Sequence, residues 1–232
     1  EKCHQARQIA TNIDWPCDLK TRFLEENIGC GPGVSSGIDW FFKHVENGII
    51  LEDDCVPHPH FFPFCKELLD RYAEDDRIMR ISGLSPFPVR DYSYDYHFSR
   101  RFFCTGWATW RRAWQHFSYD INGIEESEFV EMARACYPFH FGRRPWLLNF
   151  RRVVSGDLKT WAFRWDVACF AQDGLSIVPE KNLITNIGFD GDATHTKRME
   201  PIYANLEMQP FKFPLRHPPF VYADNRPLRS LE

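Results

Sequence analysis

The chain has 232 residues, 44% of them hydrophobic and 26% charged, a composition that suits a folded domain with one full core and excludes global disorder. A formal charge of −4 argues against a dedicated nucleic-acid binder, and no apolar run reaches the length of a membrane span. Eight Cys without a CxxC pair give no zinc signature, and their placement inside apolar segments fits reduced core thiols of a cytoplasmic protein.

In chain order, residues 2–13 predict a helix with Ala6, Ile9, Ala10 and Ile13 on one face. Trp15-Pro16 ends it, and 19–24 reads as a strand. Asn27 to Gly33 is a glycine-rich loop, and 34–45 is a helix with Ile38, Phe41, Phe42 and Val45 inward. Ile49, Ile50 and Leu51 then read as a buried central strand. Phe61, Phe64, Leu68, Leu69 and Tyr72 recur at helical spacing. Residues 78–82 predict a strand, and the alternation of Tyr92, Tyr94, Tyr96 and Phe98 predicts another. A helix is expected over 108–117, mostly helix over 120–160, a helix over 158–170 and a short strand over 175–178. A polar loop at 186–196 follows, and the Pro- and aromatic-rich tail from 201 reads as an extended wrap. The helix-then-strand rhythm predicts an α/β fold.

The most informative stretch is Gly48-Ile-Ile-Leu-Glu-Asp-Asp54, an apolar strand ending in three acids, Glu52, Asp53 and Asp54. Carboxylates collect at such a strand end when something positive neutralises them, and ligands of open α/β sheets sit at the carboxyl ends of strands. A divalent cation carrying a phosphorylated ligand satisfies both conditions. Gly106-Trp107 and Trp110 could offer aromatic faces to the C–H faces of a sugar, or pack in the core. Arg111 and Arg112 read as solvent-facing. Gly31, Gly33 and Gly37 lack the following Lys-Ser/Thr of a phosphate loop, so they read as flexibility at a helix start. His58 and His60 lack a partner pair for zinc.

With Ile50-Leu-Glu-Asp-Asp54 and the Phe-rich helix after it, the chain resembles bacterial nucleotide-diphospho-sugar transferases of the GT-A fold, of the hemolytic-protein-like kind. More remotely it is similar to N-acetylglucosaminyltransferase I. The matching stretches, in order, are Asn27 to Phe42, Gly48 to Phe64, Gly106 to Trp114, Thr160 to Asp166 and Ser176 to Thr196. The resemblance implies a mixed, mainly parallel central sheet flanked by helices, with residues 1–199 as the catalytic domain and 200–232 as an extended tail. Such families begin with a strand, a turn, a helix and a second strand that hold the nucleobase, so relative to that pattern the chain is expected to be N-terminally incomplete.

The same resemblance implies the chemistry. A sugar would pass from a nucleotide-diphosphate donor, of the UDP type, to a hydroxyl acceptor on a glycan or similar molecule, with inversion. Asp54 would ligate Mn²⁺ or Mg²⁺, Glu52 would face the donor sugar and Asp53 the ribose; the aromatic face of Trp107, read from its chemistry and not from the resemblance, could then carry the acceptor sugar. Asp166, after Trp165, would take the proton of the attacking hydroxyl, with Asp157 and Asp173 as neighbouring carboxylates that spacing does not exclude. His195, in Asp190-Gly-Asp-Ala-Thr-His195, would complete the metal shell, with Asp192 as a second choice in the same lid-like loop. Location in the cytoplasm, expected from the cysteine usage, leaves room for peripheral contact at the inner face of the membrane. A non-catalytic GT-A remnant acting as a binding module is the alternative the residues leave open.

Overall fold

The computed structural model describes residues 2–86, 93–136, 140–188 and 206–224. The element order is α1 (Lys2–Thr11), α2 (Cys30–Phe41), β1 (Asn47–Ile50), β2 (Cys55–Pro57), α3 (Phe61–Arg71), β3 (Ile78–Ser82), β4 (Tyr96–Ser99), β5 (Trp107–Trp110), α4 (Arg111–Trp114), α5 (Glu126–Cys136), α6 (His140–Val154), α7 (Ala162–Ala171), β6 (Leu175–Pro179) and β7 (Ile184–Asn186). Five strands form one sheet in the order β1-β5-β3-β6-β4, and β2 pairs with β7 in a small second sheet.

The fold is mixed α/β, as the rhythm of the sequence predicts, but the sheet is not mainly parallel. Only β3 and β6 run parallel; β1–β5, β3–β5 and β4–β6 are antiparallel. Antiparallel neighbours form here because β5 is inserted between β1 and β3, reversing the chain direction on both sides of it.

Side-chain alternation across the sheet builds two cores. On β5, Ala108 and Trp110 face one core while Trp107 faces the other. The first core receives Phe61, Phe64, Leu68 and Leu69 from α3, at the three- and four-residue spacing read from the sequence. Burying side chains of this size contributes roughly 1.5–3 kcal/mol each. The second core holds Ile38 of α2 and Phe42 just after it against Trp107, Trp114, Trp161 and Trp165. A third cluster, with Phe129, Phe150 and Phe163, joins α5, α6 and α7. Residues 206–224 lie along the first core, where Phe211 and Leu215 are buried.

Several expectations are corrected. Residues 19–24 form no strand and are mostly exposed, because the sheet ends at β1 and offers them no neighbour. Accordingly β1 is an edge strand, half-buried, rather than a central buried one, and Leu51 is 40% exposed. The helix expected over 108–117 is instead strand β5 followed by the four-residue α4. Four residues with Trp at both ends cannot be told from a helix turn by periodicity, and here both faces are covered, which favours the strand. The helix expected over 34–45 spans 30–41, and that over 158–170 begins at Ala162. Tyr92 and residues 189–205, with Asp192 and His195, lie outside the described residues. All eight cysteines are free thiols, and no helix among the described residues is long and apolar enough to cross a membrane.

Candidate functional site

Strand β1 delivers Glu52, Asp53 and Asp54 at its carboxyl end. The turn closes where the Cys55 amide donates to Glu52 O at 3.0 Å, and β2 then leaves to pair with β7. That pairing brings the chain after β7 back over the acids: the Ile187 amide donates to Asp54 O at 2.9 Å. Gly188 lies directly against the Asp54 carboxylate, so close that a Cβ there would fall 2.5 Å from Oδ2.

The acids crowd one another. Burial first, then the neighbouring charges of Asp54 and Asp53, push the Glu52 carboxyl up to about 7. None of the three acids has an ion-pair partner among the described residues. Cys30, in the first turn of α2, is raised by burial and then by Glu52 and Asp53, so that turn lies within electrostatic reach of the acids. Cys55 is pushed up to about 12, chiefly by burial, and stays a thiol whose Sγ contacts Asp54 Oδ1 at 3.5 Å.

Asp166 stands on α7 with its side chain 14% exposed. Its Oδ1 accepts a 2.6 Å hydrogen bond from Nη1 of Arg80, whose side chain is fully buried in β3. Arg80 Nε donates to Ser176 Oγ at 2.8 Å, and its guanidinium lies 4.2 Å from the Phe102 ring centroid. Burial raises the Asp166 carboxyl above its ordinary range, and Arg80 pulls the other way. Cys104 links the two carboxylate groups: after burial, Glu52 and then Asp166 raise its thiol. Glu52 and Asp166 are thus each within electrostatic reach of Cys104, in the loop between β4 and β5. Asp157 and Asp173 do not join them. Asp157 is exposed and accepts from Ser155, and Asp173, also exposed, pairs with Arg100.

Trp107 is fully buried, stacked on Trp161 with ring centroids 5.5 Å apart. Trp110 is 3% exposed, and its indole donates to Leu69 O. Both rings are core, and neither presents a face to a ligand. Arg111 and Arg112 are not free in solvent either. Arg111 donates to Val45 O, and Arg112 to the carbonyls of Tyr72, Ala73 and Ile78, which pins the turns beside α2 and α3. His58 and His60 are structural, His60 Nδ1 accepting from the Phe211 amide at 3.1 Å.

Arg80 is the residue that sequence reasoning missed. Its signal was present: a charged side chain in the middle of Ile78-Met-Arg-Ile-Ser82, where all five positions are buried. A charge there requires a buried partner. Among the described residues no group of three His, Cys, Asp or Glu is arranged to hold a metal ion. The turn after β1 therefore holds Asp54, with Gly188 packed against its carboxylate, beside Glu52 and Asp53, all three without an ion-pair partner among the described residues. Compared with known proteins, the chain matches no family model and no curated protein.

Proposed function

We propose that the chain is a metal-dependent glycosyltransferase that moves a sugar from a nucleotide-diphosphate donor, of the UDP type, to a hydroxyl acceptor. The observation that carries this reading is the set of three acids at the end of β1, Glu52, Asp53 and Asp54, with no ion-pair partner among the described residues. Crowded carboxylates without a counter-ion fit a hard divalent cation, Mn²⁺ or Mg²⁺, which completes its shell with substrate phosphate oxygens and water. Asp54 would hold it, and such a cation would supply charge neutralisation for the leaving diphosphate. Glu52 and Asp53 would face the donor sugar and ribose hydroxyls as acceptors.

Asp166 serves as the base. The oxygen of the acceptor hydroxyl forms the new bond to the anomeric carbon, the bond from that carbon to the diphosphate oxygen breaks, and the nucleoside diphosphate leaves with the electron pair. The hydroxyl proton passes to the Asp166 carboxylate. Arg80 holds Oδ1, which fixes the carboxylate plane and leaves Oδ2 for the proton. Attack from the face opposite the leaving group inverts the anomeric carbon.

The test is release of UDP from UDP-glucose, UDP-galactose and UDP-N-acetylglucosamine with Mn²⁺. Wild type should release UDP from at least one donor, and EDTA should stop it. Asp166→Asn should lower the rate about 10²-fold or more, as loss of a general base does, with donor binding kept. Near-wild-type turnover in that variant would remove Asp166 from the mechanism.

A further inference from the structure

Strand β3 carries a charge in the middle of the sheet, and its register explains where that charge points. Against β6, Ile78 stands opposite Leu175 and Arg80 opposite Ser176, so two steps along β3 answer one step along β6. An irregularity of this kind re-aims a side chain. Arg80 reaches Asp166 of α7, whereas Ile78 and Ile81 lie in the first core.

The cross-strand neighbours of Arg80 are polar as well. Thr109 of β5 and Ser176 of β6 stand opposite it, and Ser99 of β4 stands opposite Ser176. All four residues are buried. Thr109 donates to Met79 O at 2.6 Å, and Ser99 Oγ accepts from the Arg101 amide at 3.0 Å, so both hydroxyls serve nearby backbone. Ser176 meets the guanidinium itself, accepting from Nε at 2.8 Å. Nε and Nη1 lie on different edges of the planar fork. With Nε on Ser176 and Nη1 on Asp166 Oδ1, the plane cannot turn without breaking a bond, and the Phe102 ring covers its face. The Arg80 side chain is fully buried, while that of Asp166 keeps 14% exposure. The support is sealed and the carboxylate is not. Stability alone does not call for such a pair, because well-packed apolar residues in its place are often as stable or more so.

We propose that Ser176 is a positioning residue: by fixing the plane of the Arg80 guanidinium, it holds the Asp166 carboxylate paired and in one orientation. That Asp166 acts as a base rests on the glycosyltransferase reading; the relay from Ser176 through Arg80 to Asp166 does not. Loosening the relay leaves burial, which favours the protonated carboxyl, less opposed by Arg80. Arg101 also brings positive charge to the carboxylate, and burial raises the nearby thiols of Cys104, Cys136 and Cys169, which stay neutral.

The test follows the Asp166 carboxyl by carbon NMR titration of the full chain, with Asp166→Asn to assign the signal. In Ser176→Ala its midpoint should lie at higher pH than in wild type. In the Arg80→Lys background, which keeps the charge without the fork, Ser176→Ala should add nothing. Ser176→Cys, which keeps the volume and offers only a weak acceptor, makes the same comparison if Ser176→Ala does not fold. UDP release is the second readout. Ser176→Ala should lower kcat about tenfold, part of the roughly 10²-fold that a misplaced catalytic group costs, with KM for the donor unchanged. An unmoved Asp166 midpoint, or an equal shift in the Arg80→Lys background, would overturn the proposal whatever the transfer assay shows. A shifted midpoint without UDP release in wild type would keep the relay and count against glycosyl transfer instead.

Discussion

Glu52 is the clearest place where one side chain reports on the site. Its folded-state carboxyl titrates near 7 and its unfolded one near 4.5, so the folded protein holds the proton more tightly. The stability this gives is full below about 4.5 and is lost as pH rises through about 7. Glu52→Gln should therefore be more stable than wild type at pH 8, by on the order of 1–3 kcal/mol, and equal to it at pH 4. Urea unfolding at the two pH values checks this, and equal stability at both would mean Glu52 is not crowded. Arg80 makes the opposite case, a charge that must stay paired. Arg80→Met would leave Asp166 buried without its partner and should cost about 3–5 kcal/mol, read from the same unfolding curves. The acids were legible in the sequence because three carboxylates ended an apolar strand. The Arg80–Asp166 pair was not, because its members lie 86 positions apart and nothing local marks Asp166 as buried. Trp107 stayed open between two readings for a related reason: an aromatic beside a glycine looks the same in a sugar platform and in a core.

At the level of elements, the turn from the 100–106 loop into β5 holds the site together. Gly106 has φ +60°, and a Cβ there would lie 2.5 Å from Ile184 Cδ1. Gly106→Ala combines backbone strain with a core clash and should cost about 1–3 kcal/mol. Trp107→Ala, by emptying the space against Trp161, Trp165 and Trp114, should cost about 3–5 kcal/mol. Thermal or chemical unfolding measures both, and small effects would mean the tryptophan cluster is not a core. Helix α3 was readable because its apolar spacing runs over a full eleven residues. Strand β5 was not, because four residues carry too little periodicity. The edge position of β1 could not be read at all, since Ile49 and Ile50 look alike whether or not a strand lies outside them.

Over the whole molecule, residues 206–224 tie the far edge of the sheet to α3 through a buried polar chain. Tyr72 and Tyr96 share a 2.6 Å hydrogen bond, Tyr96 reaches His217 Nδ1 at 3.0 Å, and His217 Nε2 lies 3.2 Å from Glu67. Arg216 pairs with Asp95 beside them. Burial, then Arg71, lowers the His217 imidazole below 6.5 against the opposing pull of Glu67 and Asp95. Its contribution is full above 6.5 and is lost as pH falls, the reverse of Glu52. Amide protection at Leu215 and Arg216 should drop between pH 7 and pH 5 in wild type and hold steady in His217→Phe; equal loss in both would clear His217. The tail's wrapping character was legible from its Pro and aromatic content, whereas the partners of His217 depend on contacts over more than a hundred positions. The central claim is that the acids of β1 hold a metal-bound nucleotide diphosphate. Calorimetry of UDP binding with and without Mn²⁺, on wild type and Asp54→Asn, tests it most directly. Binding that needs Mn²⁺ and disappears in Asp54→Asn is the predicted result. Absence of binding in wild type, or binding indifferent to Asp54, would contradict it and leave the non-catalytic binding module as the better description.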